Sequence, residues 1–380
     1  MYRNLFIYCL IVLGITVIAP ARVDAQSRIL PPEPPQQEYF QAEVVDVIRE
    51  ETKREQDTTT FIQKLQLKIL SGKEKNSLIT IEQQGAPPDK NSPKLIEGER
   101  VVVVKTHLSN SPTYSILDRY RLDITLFIVF GFFLVVILFA GKKGLGSIIG
   151  MGISIAVILQ FIVPQILQGK DPILISISGA LIIMGVTLYL AHGVTYKTTI
   201  ALVATLFSLL IAGTLAYLSV TLTNLSGLGS EEAGFLLQFG NTDINLQGLL
   251  LGGIIIGALG VLDDITTSQV AAIFEIAKAN RSLIFTDLLT RGYTVGKEHI
   301  ASLVNTLVLA YAGASLSLFI LFILNPSQQP YWVILNSQMI IEEIIRTISG
   351  SIALIMAVPI ATVLAAFFIT RYPKKFLPKS

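Results

Sequence analysis

From Leu122 to Ile369 the sequence returns seven times to a long apolar run. A run of about twenty such residues crosses roughly 30 Å of hydrocarbon as a helix. In lipid, a helix satisfies its own backbone polar groups without help. The runs are Leu122–Ala140, Leu145–Val163, Pro172–Ala191, Thr198–Leu222, Leu246–Ile265, Ile300–Leu324 and Ile348–Ile369. They predict a polytopic α-helical membrane protein of about seven spans. Composition agrees, with 52% apolar residues, 15% charged residues and a mean hydropathy of +0.62. A soluble domain carries about a quarter charged residues. The net charge of +2 lacks the basic excess of a nucleic-acid binder. The single cysteine, Cys9, excludes an internal disulfide and a multi-cysteine zinc site.

The charge is spread unevenly. Residues 26–121 hold 14 of the 29 Lys/Arg and 14 of the 27 Asp/Glu. A charge-balanced domain therefore precedes the apolar part. Before it, residues 1–25 read as an export segment (a signal peptide): Arg3, the apolar run Leu5–Ala19, then Val23-Asp24-Ala25 at a cleavage position. Cleaved or kept as an anchor, it places the charge-balanced domain outside the cytoplasm. Residues 26–38 are a Pro-rich linker. Residues 39–118 then alternate in short runs, over Tyr39–Arg49, Phe61–Leu70, Leu78–Ile81, Val101–Val104 and Tyr114–Leu117. Five such strands predict a small extracytoplasmic β-barrel or sandwich, OB-like in outline. It reads as a binding domain for an envelope partner or as a structural cap.

An outer β domain makes the first span run inward, and seven crossings leave the tail, residues 373–380, in the cytoplasm. The positive-inside rule is an independent check. The stretches assigned to the cytoplasm carry eleven Lys/Arg, whereas the outer loops between spans carry only Lys170 and Arg346.

Within the spans, one stretch carries chemistry. Gly253, Gly257, Gly260, Asp264 and Thr267 or Ser268 fall on one helical face. Small residues at that spacing predict close helix packing. Asp263 and Asp264 end the stripe, and a carboxylate inside a span costs about 2.5–3.5 kcal/mol at the helix centre, less near the interface. Two readings compete: a proton- or cation-binding site, or a cap on the next helical segment. On the sixth span Glu298, Ser302, Asn305 and Leu309 share a face. Asn305 lies about 9 Å along the helix from His299, at the depth expected for Asp264. The expectation is that Asp264 meets Ser302 or Asn305. His192, Glu275, Glu298 and His299 gather in this topology at the cytoplasmic boundary as a polar site. They lack metal-ligand spacing, so no metal or other cofactor is expected. Gly146 and Gly150 predict close packing of the second span, and Pro359 a kink in the last.

Three runs carry a family resemblance. They are Gly257–Gln269, Val295–Ser302 and Val304–Leu316, with Asp263-Asp264, Gly296, His299, Asn305, Tyr311 and Gly313 inside them. The chain resembles the YibE/F family of bacterial membrane proteins over about residues 40–370. The resemblance implies a multispanning protein of the cytoplasmic membrane with an outer N-terminal domain. It implies no biochemical activity.

Three functions compete. A transporter or permease coupled to protons or cations would use the carboxylate stripe, with energy from a gradient, because no P-loop is present. A scaffold or sensor would bind an envelope partner through the β domain, and a homo-oligomer is the other partner consistent with the chain. An intramembrane enzyme is disfavoured. Asp263 and Asp264 are neighbours on one helix rather than facing carboxylates, and no Gly-x-Ser-x-Gly or His-Glu-x-x-His is present.

Overall fold

A computed structural model describes residues 37–55, 58–88, 94–108, 111–238, 244–325 and 328–373. The expected export segment, most of the Pro-rich linker and nearly all of the basic tail lie outside them. Two compact units divide the chain, residues 24–135 and the helical remainder from Val136.

The first unit is built on a five-stranded antiparallel sheet that curves into a half-barrel. Its strands are β1 (Gln37–Glu55), β2 (Thr58–Ile69), β3 (Leu78–Gly85), β4 (Arg100–Leu108) and β5 (Ser111–Arg119), in the order β3-β2-β1-β4-β5. Each expected strand is present, and β1 and β2 run further than their apolar alternation alone indicates. Polar pairs such as Lys53↔Thr60 and Arg54↔Thr59 continue the β1–β2 ladder past the core. β1 changes register between Val44 and Asp46 and again between Val47 and Arg49. Such bulges bend a strand, and the part of β1 before them, Gln37–Glu43, also pairs with β4. Ala42, Val44, Leu65, Leu67, Val101 and Val103 form the buried core. Gln63 is buried among them and binds the backbone of Leu95, donating to its carbonyl at 2.7 Å and accepting from its N–H at 3.3 Å.

Helix α1 (Leu122–Val157) is continued by a π-helical turn (Ile158–Ile162) and a short α2 (Val163–Leu167). Then come α3 (Pro172–His192), α4 (Tyr196–Leu222), α5 (Glu231–Gln238), α6 (Leu246–Ala279), α7 (Phe285–Ala314), α8 (Leu316–Leu324), α9 (Tyr331–Leu335) and α10 (Gln338–Arg371). The starts of α3, α4 and α6 are capped by Asp171, Thr195 and Asn245, whose side chains accept from the free N–H groups at 2.9, 3.2 and 2.9 Å.

Among the described residues, five helical stretches are long and apolar enough to cross a membrane, or six if the bent pair α7/α8 counts as one. This differs from the seven runs of the sequence in two places. The first two runs join in one helical stretch, Leu122–Leu167. The sixth is broken, because α7 and α8 meet at 65° at Ser315. α10 begins at Gln338, ahead of the seventh run, and α6 continues past Ile265 to Ala279.

The first two runs are nevertheless separated by a backbone reversal. Gly141 has φ 56° and ψ −134°, outside any helix. A Cβ at Gly144 would stand 2.6 Å from the carbonyl oxygen of Val136. In a straight helix, residues eight apart lie about 12 Å apart along the axis, so the chain doubles back here.

α6 is the central helix and packs against α3, α4, α7 and α10. Leu251, Ile254, Ile255, Leu259, Leu262 and Ile265 bury its apolar face. Gly146 and Gly150 of α1 lie against α3, as their spacing predicts, close to the Leu190 carbonyl and to Thr187.

Candidate functional site

The candidate carboxylates sit in the middle of α6. Asp263 is half-buried, and its Oδ1 is enclosed with no hydrogen-bond partner among the described residues. Asp264, one residue on, is exposed. The hydroxyls of Thr267 and Ser268 do not reach either carboxyl group. Thr267 donates to the carbonyls of Asp263 and Asp264 at 2.8 and 3.0 Å, and Ser268 to that of Ile265 at 3.1 Å. Neither Asp is an N-cap, since α6 runs unbroken through both.

The expected glycine packing is corrected. A Cβ added at Gly253 or Gly260 would have nothing within 4 Å, and one at Gly257 would have only the Tyr311 hydroxyl, at 3.6 Å. The contact falls one residue away, at Gly252, where a Cβ would stand 2.3 Å from Ser176 Oγ of α3. The large aliphatic residues of α6 decide which face is buried, and the glycine face, with no apolar area to hide, stays open with Asp264 and Ser268 on it.

The expected meeting of Asp264 with Ser302 or Asn305 is not made. α7 packs through Leu288, Gly292, Gly296 and Leu307. A Cβ on Gly292 would lie 3.0 Å from Ile273 and from Thr362, and one on Gly296 would lie 2.2 Å from Val358. These two glycines bring α7 against α6 and α10 and turn Glu298, Ser302 and Asn305 to the opposite, exposed side.

Among the described residues, no hydrogen bond or ion pair joins the four residues expected at the cytoplasmic boundary to one another. Glu275 is held by Lys197 of α4 and by Lys278, each at 2.9 Å. His299 Nδ1 is enclosed without a partner among the described residues, and Glu298 is exposed. His192 lies within electrostatic reach of Lys143 and of Asp264. Among the described residues, no three His, Cys, Asp or Glu side chains come together closely enough to hold a metal.

The structure adds polar residues that sequence reasoning passed over. Gln269 is fully buried where α6, α7 and α10 meet. Its Nε2 donates to the Gly292 carbonyl and to Thr362 Oγ1, both at 2.8 Å. Thr205 of α4 and Thr266 of α6 share a buried hydroxyl hydrogen bond of 2.6 Å. Glu342 of α10 is buried and accepts from the Gly229 N–H at 2.9 Å and from Gln338 at 3.1 Å. The signal for Gln269 was its place one turn after Asp264–Ile265 on a face otherwise aliphatic; Glu342 had no local signal.

Residues 128–371 match the family model of the YibE/F-like proteins. The chain belongs to the YibE/F-like family. The match begins inside α1, so the β domain, which the resemblance was expected to include, lies outside the matched residues. All of α6 and α7, with Asp263, Asp264, Gln269, Gly296 and Asn305, lie inside them. No curated protein and no solved structure matches the chain.

Proposed function

We propose that this YibE/F-like membrane protein is a transporter or permease coupled to protons or cations through the Asp263-Asp264 pair. One observation carries the reading: Asp263 Oδ1 is enclosed within a membrane helix without a hydrogen-bond donor. A carboxylate buried without a partner costs several kcal/mol, and in membrane helices such residues mark ion paths and proton relays. Binding a proton or a cation completes its shell. Asp264 beside it is exposed, which gives the pair an outlet. The bent α7/α8 pair adds the broken-helix geometry usual in transporters.

Seven crossings support this reading better than five or six. The stretch Leu122–Leu167 has 46 residues, about 69 Å as a straight helix, more than twice the hydrocarbon thickness. The reversal at Gly141 divides it into two spans with Lys142 and Lys143 at the turn. The bent pair α7/α8 then makes the sixth crossing and α10 the seventh. The β domain lies outside the cytoplasmic membrane and the C-terminus in the cytoplasm. We read the β domain, with a long bulged β1 shared between β2 and β4, as a partly open OB-like barrel. Such a barrel favours the second reading, in which the protein is a scaffold or sensor that docks an envelope partner.

The carboxyl chemistry is tested by infrared difference spectra of the full chain in lipid, recorded across a pH titration. The reading expects a carboxyl C=O band that titrates in the wild type and is missing in Asp263→Asn. A spectrum unchanged by Asp263→Asn removes Asp263 from any proton path.

A further inference from the structure

The break between α7 and α8 opens onto a cleft of about 400 Å³, walled by α7, α8, α9 and the first half of α10. Ser315, where the two helices meet at 65°, lines it. Backbone that leaves the helix at membrane depth is tolerated where it is buried in protein or lines a cavity, and discontinuous helices build the substrate sites of many transporters. The walls are aliphatic and aromatic, with Phe319 and Phe322 of α8 among them. The Phe322 ring lies 5.2 Å from that of Tyr331, which ties the far end of α8 to α9. Three hydroxyls, of Tyr311, Ser315 and Thr347, and the carboxylate of Glu343 interrupt this apolar lining. The Glu343 side chain is only 23% exposed, and among the described residues it makes no hydrogen bond. Arg346, one turn on, comes within 3.6 Å of Glu343 Oε2 but does not line the cleft. Glu343 is thus the only charged group in the described lining.

We propose that this cleft binds a small lipophilic amine as its ammonium ion. The assignment deepens the transport reading by naming a substrate class, and rests on that reading only for the amine being carried across. A carboxylate largely removed from water is costly to hold unless it is hydrogen-bonded. An ammonium group brings the N–H donors that Glu343 lacks, in a charge-assisted bond. The hydrocarbon body fills the apolar remainder against Phe319 and Phe322, whose ring faces also attract a cation. Apolar walls with a few converging polar groups, in a volume of roughly 300–1,000 Å³, are the usual make-up of a small-molecule site. A neutral lipid chain would leave the carboxylate without a donor, and an anion would be repelled by it. Tyr311 connects this site with the carboxylate pair. Its hydroxyl is 3.6 Å from where a Cβ on Gly257 would stand, on the open glycine face of α6. Asp264 follows seven residues, about 10 Å, further along the same face.

Titration calorimetry of the full chain in lipid nanodiscs tests the proposal. The probe is phenylbutylamine, the comparison is the uncharged phenylbutanol of similar size, and empty nanodiscs supply the background of partition into lipid. The proposal expects saturable binding of the amine to the wild type, tighter than that of the alcohol by about ten- to a hundredfold. Glu343→Gln should weaken the amine by a similar factor and leave the alcohol unchanged, whereas Phe319→Ala should weaken both. Glu343→Asp keeps the charge and should keep a preference for the amine, which separates loss of charge from loss of fold. Asp263→Asn should bind the amine as the wild type does, so a failure of the coupled-ion reading and a failure of this site are told apart. Equal affinity for amine and alcohol, as in a cleft that only holds lipid chains, overturns the proposal. So does amine binding that Glu343→Gln leaves unchanged, or none above the empty nanodiscs.

Discussion

Gln269 of α6 and Thr362 of α10 share a hydrogen bond of 2.8 Å at the point where Gly292 and Gly296 let α7 approach both helices. This is the polar node of the helical unit. Replacing Gln269 with Leu removes two donors from a fully buried site, leaving the Gly292 carbonyl and Thr362 with fewer partners. The expected loss is about 1–3 kcal/mol, read as a lowered melting temperature in detergent.

Gly296 probes the same junction by volume. A Cβ there would sit 2.2 Å from Val358 Cγ1, so Gly296→Ala should destabilise by about 1–3 kcal/mol. Val358→Ala removes the obstructing methyl. The double variant is therefore expected to melt above Gly296→Ala alone. Equal melting of the two would place the clash elsewhere.

The fold was legible where local chemistry repeats. Leu65, Leu67 and Ile69 alternate along β2, and their period of two marked the strand before any tertiary contact was known. The apolar helices were legible from length and apolarity, and the gap between the first two runs fell on Gly141, whose backbone leaves helical geometry. The candidate site was legible only as a set of residues. Which face of α7 turns inward depends on Gly292 and Gly296 meeting Ile273, Thr362 and Val358, residues of two other helices. The helical period alone could not choose between that face and the row containing Asn305. Glu342 and Gly229 are 113 residues apart, and nothing near either one announces the other.

That contact makes a prediction of its own. The loop after α4 is pinned by Gly229 to the Glu342 carboxylate, by Gln338 to Ser226 at 2.7 Å, and by Gln247 to the Leu225 carbonyl at 2.9 Å. A Cβ on Gly229 would stand 2.5–2.8 Å from the Glu342 carboxyl atoms. Gly229→Ala and Glu342→Ala should both free the loop. Limited proteolysis between residues 225 and 230 is expected to quicken in each, while cleavage elsewhere stays at the wild-type rate.

In the β domain, Glu74 bonds Lys105 and accepts from the Tyr114 hydroxyl at 2.8 Å. The Lys105 bond, then the Tyr114 bond, hold the Glu74 carboxyl below its usual 4.5. The bond to Glu74 raises Lys105 in turn, and burial first, then Glu74, raises Tyr114. The folded carboxyl is lowered, so its stabilisation is complete above 4.5 and is lost as pH falls through the folded value. Hydrogen exchange of β4 and β5 amides, compared between the wild type and Glu74→Gln at each pH, checks this. The protection difference should be constant near neutrality and shrink below about pH 4.5.

The reversal at Gly141 predicts the membrane sidedness of the turn. In the Cys9→Ser background, Lys142→Cys should react with an impermeant thiol reagent from the cytoplasmic side, and Thr113→Cys in β5 from the outer side. Labelling of both from one side would mean that the stretch from Leu122 does not cross where the two-span reading requires.

The central claim is that Asp263 carries a coupled ion. The most direct measurement is proton and monovalent-cation flux in proteoliposomes holding the full chain, under an imposed pH or ion gradient, for the wild type, Asp263→Asn and Asp264→Asn. The account predicts flux in the wild type that falls at least tenfold in Asp263→Asn, with protein that remains folded by its melting curve, and a smaller loss in Asp264→Asn. Wild-type flux that is equal in Asp263→Asn would contradict it.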